Sequence, residues 1–165
     1  MLSSLYLTAF EVLKIAIIEP IKGFFSLTPQ KYENEVGIKF DEAEQYALIS
    51  SCLWLQKNGA LTNDEVDEIK SIREHRNEIA HELPNLIASE GSEIRLDLFK
   101  QMRELLRKID IFWARADIFI ELETLEVANT QDVRDEDILS SREIILDMIT
   151  QTVTAYLEQR ASSKQ

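Results

Sequence analysis

Between Leu98 and Phe119 the apolar residues Leu98, Met102, Leu105, Ile109, Phe112, Ala116 and Phe119 recur in alternating steps of four and three. Leu98, Leu105, Phe112 and Phe119 also repeat at seven, a heptad-like seam that buries itself only against other helices. A strand would turn successive side chains to opposite faces and split this series. The seam predicts a helix from about Ile94 to about Val127, long against the usual helix length. The rest of the chain agrees, since four glycines and three prolines among 165 residues leave few breakers in a composition rich in Leu, Ile, Glu and Ala. The expectation is an all-α protein, an up-and-down bundle of about five helices. Residues 1–160 would form a single domain and 161–165 a frayed tail.

The other elements follow from the same periodicity. Leu2 to Phe25 reads as a strongly apolar helix lined by Leu5, Ala9, Val12, Ala16 and Ile17. Pro20 should kink it and Gly23 end it. Glu11 with Lys14, and Glu19 with Lys22, are spaced to pair across a turn. Those charges interrupt any run able to span a bilayer, and a basic leader region is missing, so neither a membrane span nor a signal peptide is expected. The broad apolar face suits the core or a dimer contact better than a membrane surface. Residues 26–40 read as a loop with Pro29 and Gly37 as breakers. Asp41 would cap a second helix running to about Lys57, burying Tyr46, Ile49, Leu53 and Trp54 and closed by Asn58-Gly59. A turn is expected at 89–92 and a mobile acidic loop over 129–137. The last helix should run from about Asp137 to Gln159 and bury Ile138, Ile145, Ile149, Val153 and Tyr156. Cys52, the single cysteine, excludes an intrachain disulfide, fits a reducing cytoplasm and reads as a small core residue.

The third helix, Thr62 to Leu83, carries the anomaly. Thr62 with Glu65 three positions later is a capping box, and Asp64, Glu65 and Asp67 suit the positive end of a helix dipole. Val66, Ile69, Ile72, Ile79 and Leu83 then make an apolar stripe with a gap that Arg76 fills. A guanidinium on a core-facing stripe needs a partner or a wet cleft, because burying it alone is costly. His81 follows five residues later, just ahead of Pro84. In the plain structural reading, Arg76 pairs with a neighbouring carboxylate and His81 is a helix-end residue.

The string Arg76-Asn77-Glu78-Ile79-Ala80-His81 reads R-N-x-x-x-H and resembles the signature of the HEPN domain family; the resemblance covers about a dozen residues. It implies a helical bundle, usually homodimeric, often a metal-independent ribonuclease of toxin–antitoxin or phage-defence systems, with some members inactive or only nucleotide-binding. Carried onto this chain, it makes Arg76 and His81 the candidate catalytic residues. Arg76 would stabilise charge on the scissile phosphate, and His81 would act as general base or acid on the ribose 2′-hydroxyl or the leaving oxygen. Asn77, Glu78 and Arg73 would support them. Lys100, Arg103 and Arg107 share one face of the long helix and could contact RNA, or could simply be a solvated face. On a straight helix Arg76 and His81 point roughly 140° apart at about 100° per residue. A bend at Pro84, or a twofold axis making a composite cleft from two subunits, would bring such groups together. The alternative function is a non-catalytic bundle that binds a partner protein or nucleotide and keeps the motif as a polar network.

Charge argues against a simple nucleic-acid binder. The net charge of −12 repels a polyanion, and a DNA reader would need a basic recognition helix. The distribution is uneven, with five basic and two acidic residues from Arg95 to Lys108 (+3) but ten acids and two arginines from Asp117 to Asp147 (−8). An acidic toxin held by a basic antitoxin would fit. Glu78-x-x-His81 also matches half of a di-iron carboxylate site, but a single copy per chain makes a metal unexpected. No cofactor is expected, since Cys-x-x-Cys, a Gly-rich phosphate loop and G-x-S-x-G are all missing from the sequence.

Overall fold

The computed structural model describes residues 2–86, 95–125 and 134–162, apart from the side chains of 45, 82–86, 96 and 118–125. The described residues form a packed all-α bundle of six helices without strands: α1 (Leu2–Phe24), α2 (Pro29–Val36), α3 (Glu44–Lys57), α4 (Asn63–Leu86), α5 (Leu96–Leu125) and α6 (Ser141–Ser162). None of the described helices is long and apolar enough to cross a membrane.

Helix α1 is the axis of the bundle and packs against α3, α4, α5 and α6. That explains why its apolar face is too broad for a surface helix: Tyr6, Ala9, Phe10, Leu13, Ala16, Ile17, Ile18 and Ile21 are all buried. It continues through Pro20 and Gly23 to Phe24 rather than stopping at the glycine. The long seam of α5 is buried at Leu98, Met102, Leu105 and Ile109, with Phe99 and Leu106 added on its flank, while Phe112 is only partly covered. Cys52 lies in the core, and burial pushes its thiol up to about 12.

Three expectations need correction. The stretch 26–40 contains a short helix, α2, making six helices where about five were expected. Pro29 stands in its first turn, where a missing N–H costs nothing, and Gly37 ends it at φ +81°, donating its N–H to the Glu33 carbonyl. The two supposed breakers are its start and stop signals. Helix α3 begins at Glu44, after Ala43, without an Asp41 cap. Its core face is Ala47, Leu48, Ser51, Cys52, Trp54 and Leu55, whereas Tyr46 and Leu53 are 60% and 50% exposed. Small residues at that contact suit close approach to α1, which a tyrosine would hold off.

Helix α6 starts at Ser141 rather than Asp137, the latter lying in a 3-10 turn, Asp135–Asp137. Ser140 is its cap: the Glu143 N–H donates to Ser140 Oγ at 3.0 Å, and that hydroxyl donates in turn to the Asp110 carboxylate. Its buried face is Glu143, Leu146, Ile149 and Val153, so Ile145 is turned outward at 44% exposure and Ile138 and Tyr156 are only partly covered. The helix reaches Ser162, beyond the expected end at Gln159, so the tail expected from 161 is still helical at its first two residues. The turn at 89–92, most of the acidic loop over 129–137, Leu83 and Phe119 lie outside the residues and side chains described.

Candidate functional site

Helix α4 begins as its sequence requires. The Thr62 N–H donates to Glu65 Oε2 at 2.7 Å, and the Glu65 N–H donates to Thr62 Oγ1 at 3.3 Å, closing the capping box. Lys108 of α5 reaches the same carboxylate at 2.7 Å and ties the helix start to the bundle. Val66, Ile69, Ile72 and Ile79 are buried, and the Tyr6 hydroxyl donates to the Ile72 carbonyl at 3.1 Å. These contacts fix the rotation of α4 and thereby aim its next flank.

That flank opens on a cleft of about 610 Å³ between α1, α3 and α4, lined by Phe10, Glu11, Lys14, Ala43, Glu44, Leu48, Arg73, Arg76, Asn77 and His81. The four α4 side chains fan over an arc of roughly 140° at about 100° per residue, with Arg76 at the core edge, Arg73 and Asn77 between, and His81 at the outer edge. Arg76 is accordingly half-buried and His81 exposed. A single chain brings Arg76 and His81 to one cleft although α4 stays helical through Pro84 to Leu86. Neither a break at Pro84 nor a second subunit is needed for that.

Arg76 is held loosely on three sides. Its Nη2 lies 3.5 Å from Glu11 Oε1, its Nη1 donates to Asn77 Oδ1 at 3.3 Å, and its Cζ sits 5.7 Å from the centre of the Phe10 ring. A partly exposed ion pair of that length is worth about 0–1 kcal/mol, and a cation over an aromatic face adds about 0.5–2 kcal/mol. Neither approaches a charge-assisted fork, which is shorter and stronger. The Arg76 Nε is buried and has no hydrogen-bond acceptor among the described residues. Arg73 and His81 make no ion pair or hydrogen bond among the described residues.

The acids of the cleft form a chain of alternating charge. Lys14 pairs closely with Glu11 and reaches Glu44 of α3 at 2.9 Å. Burial pulls the Lys14 ammonium pKa down, but the hydrogen bonds to Glu11 and Glu44 outweigh it and leave the group above its usual range. The hydrogen bond from Lys14 in turn holds the Glu44 carboxyl below its usual range. Three cations (Lys14, Arg73, Arg76) therefore face two carboxylates (Glu11, Glu44), a local excess of positive charge on a chain of net −12.

The other sequence candidates lie elsewhere. Glu78 is exposed and pairs with His75 Nδ1 at 3.3 Å; it does not line the cleft and does not support His81. His75 is itself partly covered and packed edge-on against Tyr6 at 5.0 Å. Lys100 is exposed, and Arg103 and Arg107, on the same side of α5, are partly covered and engaged by carboxylates. Arg103 pairs with Asp147, and Arg107 donates to both oxygens of buried Glu143 at 2.9 Å and to the Asp135 carbonyl at 2.9 Å. The sequence reading missed Phe10, Glu11, Lys14, Glu44 and Leu48 as cleft residues. Only the Glu11–Lys14 spacing marked any of them, and it spoke for a helix-surface pair. No family model, curated protein or solved structure matches this chain.

Proposed function

We propose that the protein is a HEPN-like, metal-independent endoribonuclease, and that the cleft between α1, α3 and α4 is its active site. The observation that carries this reading is the convergence of Arg73, Arg76, Asn77 and His81 on one locally cationic cleft. In the proposed reaction the ribose 2′-oxygen attacks the adjacent phosphorus and loses its proton to a base. The bond to the 5′-oxygen breaks, and that oxygen takes up a proton. The products are a 2′,3′-cyclic phosphate and a 5′-hydroxyl. The exposed imidazole of His81 serves one of the two proton transfers, and the Arg76 guanidinium stabilises negative charge building on the phosphate oxygens. Asn77 holds Arg76 through its amide oxygen. A homodimer with a composite cleft would supply a second imidazole for the other transfer. Activity of this kind suits a toxin or a phage-defence protein, restrained by a basic antitoxin that recognises the acidic surface.

A second reading, a non-catalytic bundle that binds a nucleotide or partner protein, draws support from the contacts that already occupy Arg76. The deciding experiment incubates labelled single-stranded RNA with wild type and His81→Ala in chelator, after both are shown to fold and elute alike. Cleavage by wild type alone, leaving 2′,3′-cyclic phosphate ends, is the expected result. No cleavage by either over a range of RNAs overturns the ribonuclease, and equal cleavage by both proteins overturns the role of His81 and this cleft as its active site.

A further inference from the structure

We propose that Glu11 is a resident counter-ion that a substrate phosphodiester displaces from Arg76, and that Arg73 and Arg76 then hold that phosphate together. This rests on the reading of the cleft given above, but it concerns anion exchange rather than cleavage.

Glu11 has two cationic partners of unequal hold. It pairs closely with Lys14, while its other oxygen touches Arg76 only at 3.5 Å. Lys14 is secured in turn by Glu44 at 2.9 Å. Releasing Arg76 therefore leaves no orphaned carboxylate, because Glu11 stays on Lys14. Exchange of one anion for another at Arg76 is inexpensive for that reason.

The guanidinium has unused capacity for the incoming group. Among the described residues Arg76 Nε is buried without an acceptor, and Nη2 beside it has only the long contact to Glu11. A phosphate can accept from Nε and Nη2 at once, a side-on fork that the single carboxylate contact does not make. Arg73, one turn earlier on α4 and without an ion-pair partner among the described residues, flanks the same space. Phe10 forms the apolar wall beneath Arg76, which keeps the guanidinium plane fixed while its anion changes.

Charge counting alone would make removal of Glu11 and removal of Glu44 equivalent, since each deletes one carboxylate from the cleft. The exchange model makes them unequal, because only Glu11 touches Arg76. It also requires that the benefit of losing Glu11 pass through Arg76.

The test measures binding of a fluorescent single-stranded 2′-deoxy oligonucleotide, which lacks the attacking hydroxyl, by anisotropy at low ionic strength. Glu11→Gln should tighten binding about fivefold to tenfold, the scale of one unit charge removed from beside a phosphate in a half-wet cleft. Glu44→Gln should change it less than about twofold, and Arg73→Gln should weaken it. In an Arg76→Gln background the gain from Glu11→Gln should vanish, a coupling read from the double-mutant cycle. Thermal melts of each variant accompany the titrations, and Lys14→Met, which leaves Glu11 to Arg76 alone, should weaken binding without unfolding the chain. An equal gain from Glu11→Gln in both backgrounds, equal gains from Glu11→Gln and Glu44→Gln, or no binding by wild type and Glu11→Gln alike, overturns the proposal. Coupling through Arg76 without any RNA cleavage would retire the ribonuclease and leave the anion exchange standing.

Discussion

Replacing Arg107 by Ala separates a structural cation from an RNA-contacting one. Glu143 is buried, and Arg107 Nη1 donates to both of its oxygens at 2.9 Å. Arg107 also ties the 3-10 turn to α5 through the Asp135 carbonyl at 2.9 Å. Removing one member of a buried ion pair costs about 3–5 kcal/mol, because it strands the other charge. Two features reduce that figure here: Arg103 Nη2 remains 4.0 Å from Glu143, and the Arg107 side chain is one-third exposed. A loss of about 2–3 kcal/mol is therefore expected, which for a chain of this size lowers Tm by about 4–12 °C. Arg103→Ala breaks a half-exposed pair with Asp147 and should cost about 0.2–1 kcal/mol. The double variant Arg107→Ala/Glu143→Leu should recover most of the loss, since no buried charge is then left alone. Urea unfolding followed by circular dichroism at 222 nm gives all three values. A difference between Arg107→Ala and Arg103→Ala of less than about 0.5 kcal/mol, within the usual error of such contacts, or a double variant no more stable than Arg107→Ala, would refute the structural role of Arg107.

Two further outcomes follow from contacts that α4 makes. Burial raises the Glu65 carboxyl, but Lys108 and the Thr62 amide outweigh it and hold the group below its ordinary range. The native state then binds fewer protons than the unfolded chain, so this stabilisation is complete above the ordinary carboxylate pKa and is lost as pH falls through the native value. Glu65→Gln keeps the cap but loses the charge, and should destabilise by about 0.5–1 kcal/mol at neutral pH; unfolding at neutral and acid pH checks that the gap closes on acidification. Tyr6→Phe deletes the buried hydroxyl that donates to the Ile72 carbonyl, and should cost about 1 kcal/mol. Its Tm should fall by a few degrees while oligonucleotide binding stays unchanged; a loss of binding with full stability would contradict the packing role given to Tyr6.

How much of this was legible in the chain depends on whether local or tertiary rules decide. Helix α4 obeys local ones: the Thr62–Glu65 box and the Val66, Ile69, Ile72, Ile79 stripe stand where the spacing puts them. Helices α3 and α6 are apolar around much of their circumference, so periodicity leaves their rotation undecided. In α6 the face that turns inward is the one on which Glu143 joins Leu146, Ile149 and Val153, where Arg107 pairs with its carboxylate. One local signal there was available: Ser140 with Glu143 three residues on has the spacing of the Thr62–Glu65 box, although only the Glu143 N–H to Ser140 half forms, the carboxylate going to Arg107. Pro29 and Gly37 were likewise visible, but as breakers rather than as the two ends of a helix.

The site divides in the same way. Arg76 and His81 were legible because a charge interrupts an apolar stripe and a histidine follows in a motif spacing. Glu11, Lys14 and Glu44 were not, since nothing local encodes which faces of α1 and α3 meet α4. Yet the rule that flagged Arg76 already required a partner for it, and Glu11 answers that requirement only at 3.5 Å. A stronger partner would have made Arg76 a finished piece of the core. With Glu11 more closely held by Lys14, and Arg76 Nε without an acceptor among the described residues, the proposed exchange of anions at the guanidinium follows. The weakness of the internal pair is thus what joins the structural reading of Arg76 to the functional one, and the Glu11–Arg76 double-mutant cycle measures that junction directly.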